Sequence, residues 1–358
     1  MIGKAGLVLG LALLSTTALA AGTVSSNAVN QPGVAGPAFQ INPMISNQPG
    51  HAQRVDRSLV NPWGVGAIPG NPLWVNINGG HKSSIFGARS FKQQGKVRVG
   101  DGPTGIIDIP ANPNGGDFNI TEGTATGPSL FAFVTEGGLL QGWNPNVDAA
   151  KAVTALDRSG GTSAFTGVSF IAENRTLLLA DFGNGFVEEF DGGFNQTGHF
   201  TDNTLPPNFE PFNVSVLKGK VYVAFAERDP TTGDEVKGAG LGYVDVFDHR
   251  GNLTSHLVSA GALNAPWGMT IAPAGFGQFA GDLLVGNFGD GTINAYDPDT
   301  GSLVGTVSGS DGNPLVIDGL WGLKAGPGGS IVFASGPNDE QNGLVGTVSM
   351  VSTTIATK

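Results

Sequence analysis

The chain has 358 residues, a formal charge of −11 at pH 7 from 18 Lys and Arg against 29 Asp and Glu, and no cysteine. Disulfides, thiol nucleophiles and cysteine-ligated metals are therefore excluded, and an acidic surface without Lys/Arg clusters disfavours nucleic acid and anionic membranes, leaving cations or neutral ligands. Only 13% of residues are charged while Gly numbers 58, a composition of short strands and tight turns rather than helices.

Residues 1–20, "MIGKAGLVLGLALLSTTALA", read as a signal peptide: Lys4 supplies the basic start, Ala5 to Leu14 the apolar run, and Ala18-Leu19-Ala20 a small-residue cleavage site. The apolar run is too short for a membrane span, which needs about 20 residues. The expectation is therefore an exported protein, periplasmic or extracellular, without membrane insertion. Residues 21–38, rich in Ser, Asn, Gly and Pro, read as a flexible leader.

Beyond the leader one element recurs six times: Pro62-Trp63-Gly64-Val65, Pro103-Thr104-Gly105-Ile106, Phe165-Thr166-Gly167-Val168, Pro211-Phe212-Asn213-Val214, Pro266-Trp267-Gly268-Met269 and Leu320-Trp321-Gly322-Leu323. The intervals of 41, 62, 46, 55 and 54 residues are near the length of a four-stranded propeller blade. Each copy leads to an apolar run ("LWVNI", "LFAFVT", "LLLADF", "VYVAFA", "LLVGNF", "IVFAS"), suited to a strand buried on both faces. Gly/Asn/Asp hairpin signals follow, then third strands such as "FVEEFD", "YVDVFD" and "TINAYD" and a shorter fourth. The sixth unit ends after its third strand, and Phe39 to Ser46, "FQINPMIS", can supply the missing one. The prediction is an all-β, six-bladed β-propeller over residues 39–352, with four-stranded antiparallel blades, a ring closed by the N-terminal strand, and a tail at 353–358. In each motif, Gly suits crowding near the axis, and Trp is expected to fill the gap between neighbouring blades.

The stretches "LVNPWGV", "FTGVSF", "LLLADFGNGFVEEFD", "FTDNTLPPNFEPFNV", "GLGYVDVFDHRGNL", "LNAPWGMTIAPAGFGQFAGDLLVGNFGDG", "IDGLWGL" and "GPNDEQNGLVG" together carry a resemblance. The chain resembles a functionally uncharacterised family of secreted bacterial six-bladed propellers, many of which carry a PEP-CTERM sorting tail; that tail is absent here. The resemblance implies the fold and an export route. More loosely, the architecture is similar to NHL-repeat and gluconolactonase-like propellers, some of which bind a cation on the central axis.

In a propeller, ligands sit at a mouth of the central channel, where the loops entering the innermost strands converge. Just ahead of the motifs stand Asn61, Asp101, Glu210, Asn264 and Asp318, with Ser163 in the remaining blade. A ring of carboxylates and amides suits Ca²⁺, which takes 6 to 8 oxygens; Asp101, Glu210 and Asp318 are the candidate metal ligands. Asn76, Asp181 and Asn287, with Glu136 nearby, end the second strands and form a second candidate set at the same mouth. The alternative for both sets is that Asn and Asp ahead of strands satisfy turn backbones. "YDPDTG", Tyr296 to Gly301, lacks the later acid of a calcium loop and reads as a turn.

Catalytic signatures are lacking: there is no Gly-x-Ser-x-Gly, His-Glu-x-x-His or phosphate-binding Gly-x-x-x-x-Gly-Lys pattern. His81, after the "NINGG" turn, is the best candidate base, and Asp339 and Glu340 concentrate charge in the last hairpin. Three readings follow: a monomeric, non-catalytic module binding a protein, glycan or small molecule; a Ca²⁺-dependent hydrolase or lactonase; or a structural surface component.

Overall fold

The computed structural model describes residues 38–67 and 72–351; the expected signal peptide, the expected leader up to residue 37 and the tail lie outside them. Six sheets stand around one axis. Their innermost strands are Pro62–Gly66, Pro103–Asp108, Phe165–Ile171, Phe209–Leu217, Pro266–Ile271 and Leu320–Ala325, here blades 1 to 6, and every copy of the repeated motif lies in one of them. Each innermost strand packs against those of the blades on either side, and Leu320–Ala325 meets Pro62–Gly66 to close the circle.

The second strands, Leu73–Ile77, Phe131–Thr135, Thr176–Asp181, Lys220–Glu227, Leu283–Asn287 and Ile331–Ser335, run antiparallel to the first and are almost wholly buried. Their near-continuous apolar character follows, since each is covered on both faces by adjoining blades. Phe39–Ser46 pairs antiparallel with Leu344–Met350 and forms the fourth strand of blade 6, and the short Arg54–Val55 adds to it in parallel. One feature has no counterpart in the repeat: blade 2 carries an inserted hairpin, Asn119–Glu122 with Ala125–Pro128. It accounts for the long second interval, and Phe118 and Ile120 anchor it in the core of blades 2 and 3.

The motif glycine is dictated by the neighbouring blade. A Cβ on Gly64, Gly268 or Gly322 would lie 2.4 Å from the carbonyl oxygen of Thr104, Trp321 or Trp63 respectively, each on the next innermost strand. Blade 4 replaces this glycine with Asn213, whose amide instead donates to the Trp267 carbonyl at 2.7 Å.

The motif tryptophans do not fill gaps between adjacent blades as expected. They point to the axis. Trp63 stacks on Trp321 at 3.5 Å, Trp321 on Phe288 at 3.8 Å, and Trp267 meets both indoles edge-on at 5.8 Å. The Trp267 Nε1 donates across the axis to the Thr166 carbonyl at 3.2 Å, from blade 5 to blade 3. Blades 2 and 3 carry Thr104 and Thr166 at the equivalent position, leaving room for these rings. With Phe182 and Phe212 they form a buried aromatic stopper. On its far side a cavity of ≈ 170 Å³ runs between the innermost strands, with Lys324 among its lining residues.

Candidate functional site

Each innermost strand begins, and each second strand ends, at the same mouth. The loops joining second to third strands, and those entering each blade, therefore form its rim, and the aromatic stopper is its floor. Three glutamates come from the second-to-third loops of alternate blades: Glu136 in blade 2, Glu235 in blade 4 and Glu340 in blade 6.

Burial pushes Glu340 up, and Glu136 pushes it further, while Lys237 and the polar hydrogens of Asn61 and Trp321 oppose the shift. Glu235 is pushed up to about 7, first by burial and then by Glu340 and Asp234, against its own backbone N–H and Lys237. Glu136 is also raised by burial, opposed by Asn78, whose amide donates to it at 2.6 Å, and assisted by Asp234 and Asp101. Glu136 is reached by water, but in a concave rim surrounding protein still replaces much of the solvent that would stabilise its charge. Glu340 thus feels the charge of Glu136 and in turn raises Glu235. An ammonium already lies among them: Lys237 Nζ is 4.1 Å from the centre of the Phe288 ring. Both line a cavity of ≈ 160 Å³ together with Asp290, Asp318, Asp339 and Glu340.

The residues expected from sequence divide into two kinds. Asn76, Asp181 and Asn287 are fully buried. The Asn76 amide donates to the carbonyls of Thr104 and Gly105 in the next blade, at 3.1 and 2.9 Å. Asp181 accepts from the Ala164 and Asn184 backbone amides, and Asn287 accepts from the Asn264 N–H and donates to the Ala262 carbonyl. Asn76 thus braces the next innermost strand, and Asp181 and Asn287 brace the loops beneath the rim. Asn61 accepts from the Trp321 indole at 3.0 Å, and Asn264 accepts from the Gly238 amide while donating to Asp290. Both are buried supports joining floor to rim.

Asp101, Glu210 and Asp318 are on the rim with separate local partners. Asp101 pairs with His81 at 2.8 Å, both exposed; Asp318 accepts from the Asn338 backbone; burial raises Glu210, and Arg228 opposes it. They do not form a group of convergent ligand atoms. Among the described residues the one trio of His, Asp and Glu with ligand atoms within 4.8 Å is Asp202, Asp245 and His256, on the outer part of blades 3 and 4. There Asp245 is pushed up by burial and by the adjoining Asp202 carboxylate. Asp297 of "YDPDTG" accepts from the backbone amides of Asp299 and Thr300, a turn as read from sequence.

A closed ring of six four-stranded blades with an acidic mouth over an aromatic floor defines a six-bladed β-propeller. No family model matches the chain. It is similar to uncharacterized protein L690 of Acanthamoeba polyphaga mimivirus, 35% identical over 327 residues that cover 87% of this chain and 85% of the viral one. It is also similar to uncharacterized protein R648 of the same virus, 33% identical over 329 residues covering 87% and 80%. The chain belongs to the family that these proteins form. Among solved structures, a streptogramin B lyase superposes with a TM-score of 0.54 at 11% identity, covering 87% of this chain and 97% of that one. Virginiamycin B lyase from Staphylococcus aureus gives 0.50 at 12%, covering 87% and 100%. At such identity the likeness is one of fold.

Proposed function

We propose that the chain is an exported, non-catalytic binding module whose acidic mouth takes a small organic cation. The observation that carries this reading is the Lys237 ammonium lying on Phe288 in a cavity that Asp290, Asp318, Asp339 and Glu340 also line, with the Glu340 charge coupled to those of Glu136 and Glu235. Carboxylates held in a concave, partly desolvated site carry charge at a cost, and a bound cation relieves it. An aromatic face adds the quadrupole attraction that favours ammonium groups. Export is supported by residues 1–20 and by the resemblance to secreted propellers. For the Ca²⁺-dependent hydrolase built on Asp101, Glu210 and Asp318, no observation of comparable weight is present.

Calorimetry at pH 8 with n-butylammonium, and with n-butanol as its uncharged counterpart, tests the reading. The amine is expected to bind and the alcohol not. Glu340→Gln should weaken amine binding by about tenfold, equivalent to roughly 1.4 kcal/mol. Equal binding of amine and alcohol, or unchanged affinity in Glu340→Gln, would refute it.

A further inference from the structure

Away from the mouth, three side chains meet where blade 3 hands over to blade 4. Asp202 follows the outermost strand of blade 3, Gln196–Phe200. Asp245 lies on the third strand of blade 4, Tyr243–Phe247, and His256 faces it in register on the fourth, Leu253–Ser259. The Asp202 and Asp245 side chains are 1% and 0% exposed, whereas that of His256 is 48% exposed. His256 Nδ1 is 3.1 Å from Asp202 Oδ2 and 3.3 Å from Asp245 Oδ1.

Two buried carboxylates side by side are costly unless something positive stands between them. The half-exposed imidazole only partly meets that need. Asp202 Oδ2 and Asp245 Oδ2 are both buried without a hydrogen bond, so the nearby Nδ1 does not address Asp202 in bonding geometry. Asp202 is nevertheless held firmly, because its other oxygen accepts from the Thr204 backbone N–H at 2.8 Å and hydroxyl at 2.7 Å. That leaves Oδ2 turned toward His256. Bonds of about 2.0–2.2 Å at tetrahedral or octahedral angles set ligand atoms about 3.0–3.5 Å apart, the range of the two separations here. A nitrogen beside two carboxylates favours a first-row divalent metal over Ca²⁺ or Mg²⁺, which prefer all-oxygen sites.

We propose that Asp202, Asp245 and His256 form a Zn²⁺-class metal site that ties blade 3 to blade 4. Asp202 Oδ2, one Asp245 oxygen and His256 Nδ1 are the protein ligands, and the open side of His256 admits water to the remaining positions. Thr204 positions Asp202 and is not a ligand.

The test is direct titration of the full mature chain with Zn²⁺ by calorimetry, alongside a Co²⁺ titration followed by visible absorption. His256→Ala changes a half-exposed side chain, and its thermal melt without metal serves as the folding check. Asp202→Asn, which keeps the contacts to Thr204, is the second variant should His256→Ala fail to fold. The expected result is one Zn²⁺ per chain, a Co²⁺ spectrum with ligand-field bands, and an affinity at least tenfold weaker in the variant. Zn²⁺ should also raise the melting temperature of the parent chain and not of the variant, by linkage. Absence of stoichiometric binding would overturn the proposal and leave the two aspartates as a proton-sharing pair. Binding of equal strength in the variant would overturn it too, by placing the metal elsewhere.

Discussion

Glu235→Gln is expected to stabilise the protein at pH 8 and to leave it almost unchanged at pH 4. The glutamate is partly buried in the mouth, faces Glu340 and Asp234, and has its carboxyl raised from 4.5 to about 7. Between those values the folded state holds a proton that the unfolded state has released, so stability falls as pH rises through this window. At about 1.36 kcal/mol per pH unit the full effect is about 3.4 kcal/mol, an upper bound that water in the rim reduces to roughly 1.5–3 kcal/mol. Glutamine matches the shape of the protonated acid and never charges, so above pH 7 the variant escapes this cost. Urea unfolding of both proteins at intervals from pH 4 to 8.5 yields the difference curve, which should open from about pH 4.5 and level off above pH 7. A difference independent of pH, or one that opens only below pH 5, would refute the placement of Glu235 in a desolvated acidic cluster.

Two further pairs of substitutions probe the propeller frame. Gly268→Ala should lower stability by about 1–3 kcal/mol, because its Cβ would press on the Trp321 carbonyl, whereas Gly160→Ala, with nothing within 4 Å, should be near neutral in the same denaturant assay. Arg158→Met should cost about 3–5 kcal/mol at pH 7, since Glu188 is only 4% exposed and takes both its hydrogen bonds, each 2.7 Å, from that guanidinium. Adding Glu188→Met should recover much of the loss, and a double-mutant cycle measures how much.

The ring was legible because its most crowded layer repeats. In blades 1, 5 and 6 a glycine of the innermost strand is imposed by the next blade's backbone carbonyl, so Gly64, Gly268 and Gly322 stand in equivalent motifs. The hairpin 119–128 was not legible, since an insertion within a blade obeys no period. Asn61 and Asn264 were found at the right depth, but their amides are consumed in holding the rim. Polar residue type reveals proximity to a turn, whereas direction depends on backbone at neighbouring blades. Glu235 and Lys237 are not marked by the repeat because they lie in the loop between Lys220–Glu227 and Tyr243–Phe247, which is longer than the same loop in any other blade. Glu136 and Glu340 are visible as hairpin acids; the coupling of Glu340 to Glu136 and to Glu235 exists only once alternate blades face one axis. Asp202 and His256 are likewise brought together by the junction of two blades, a relation that residue spacing does not encode.

The pairing of Phe39 with Met350 joins residues 311 positions apart. Phe39 and Ile41 belong to the first strand of the described residues, and each packs into the core of blades 5 and 6. At about 5–20 residues per second of synthesis, that strand waits on the order of 15–60 s for its partner to exist. Five blades can assemble in the order they are made, but the sixth is a splice between an early-made strand, Phe39–Ser46, and a late-made one, Leu344–Met350. Ring completion is thereby clocked by the arrival of Leu344–Met350, and an apolar segment must be kept from other company until then.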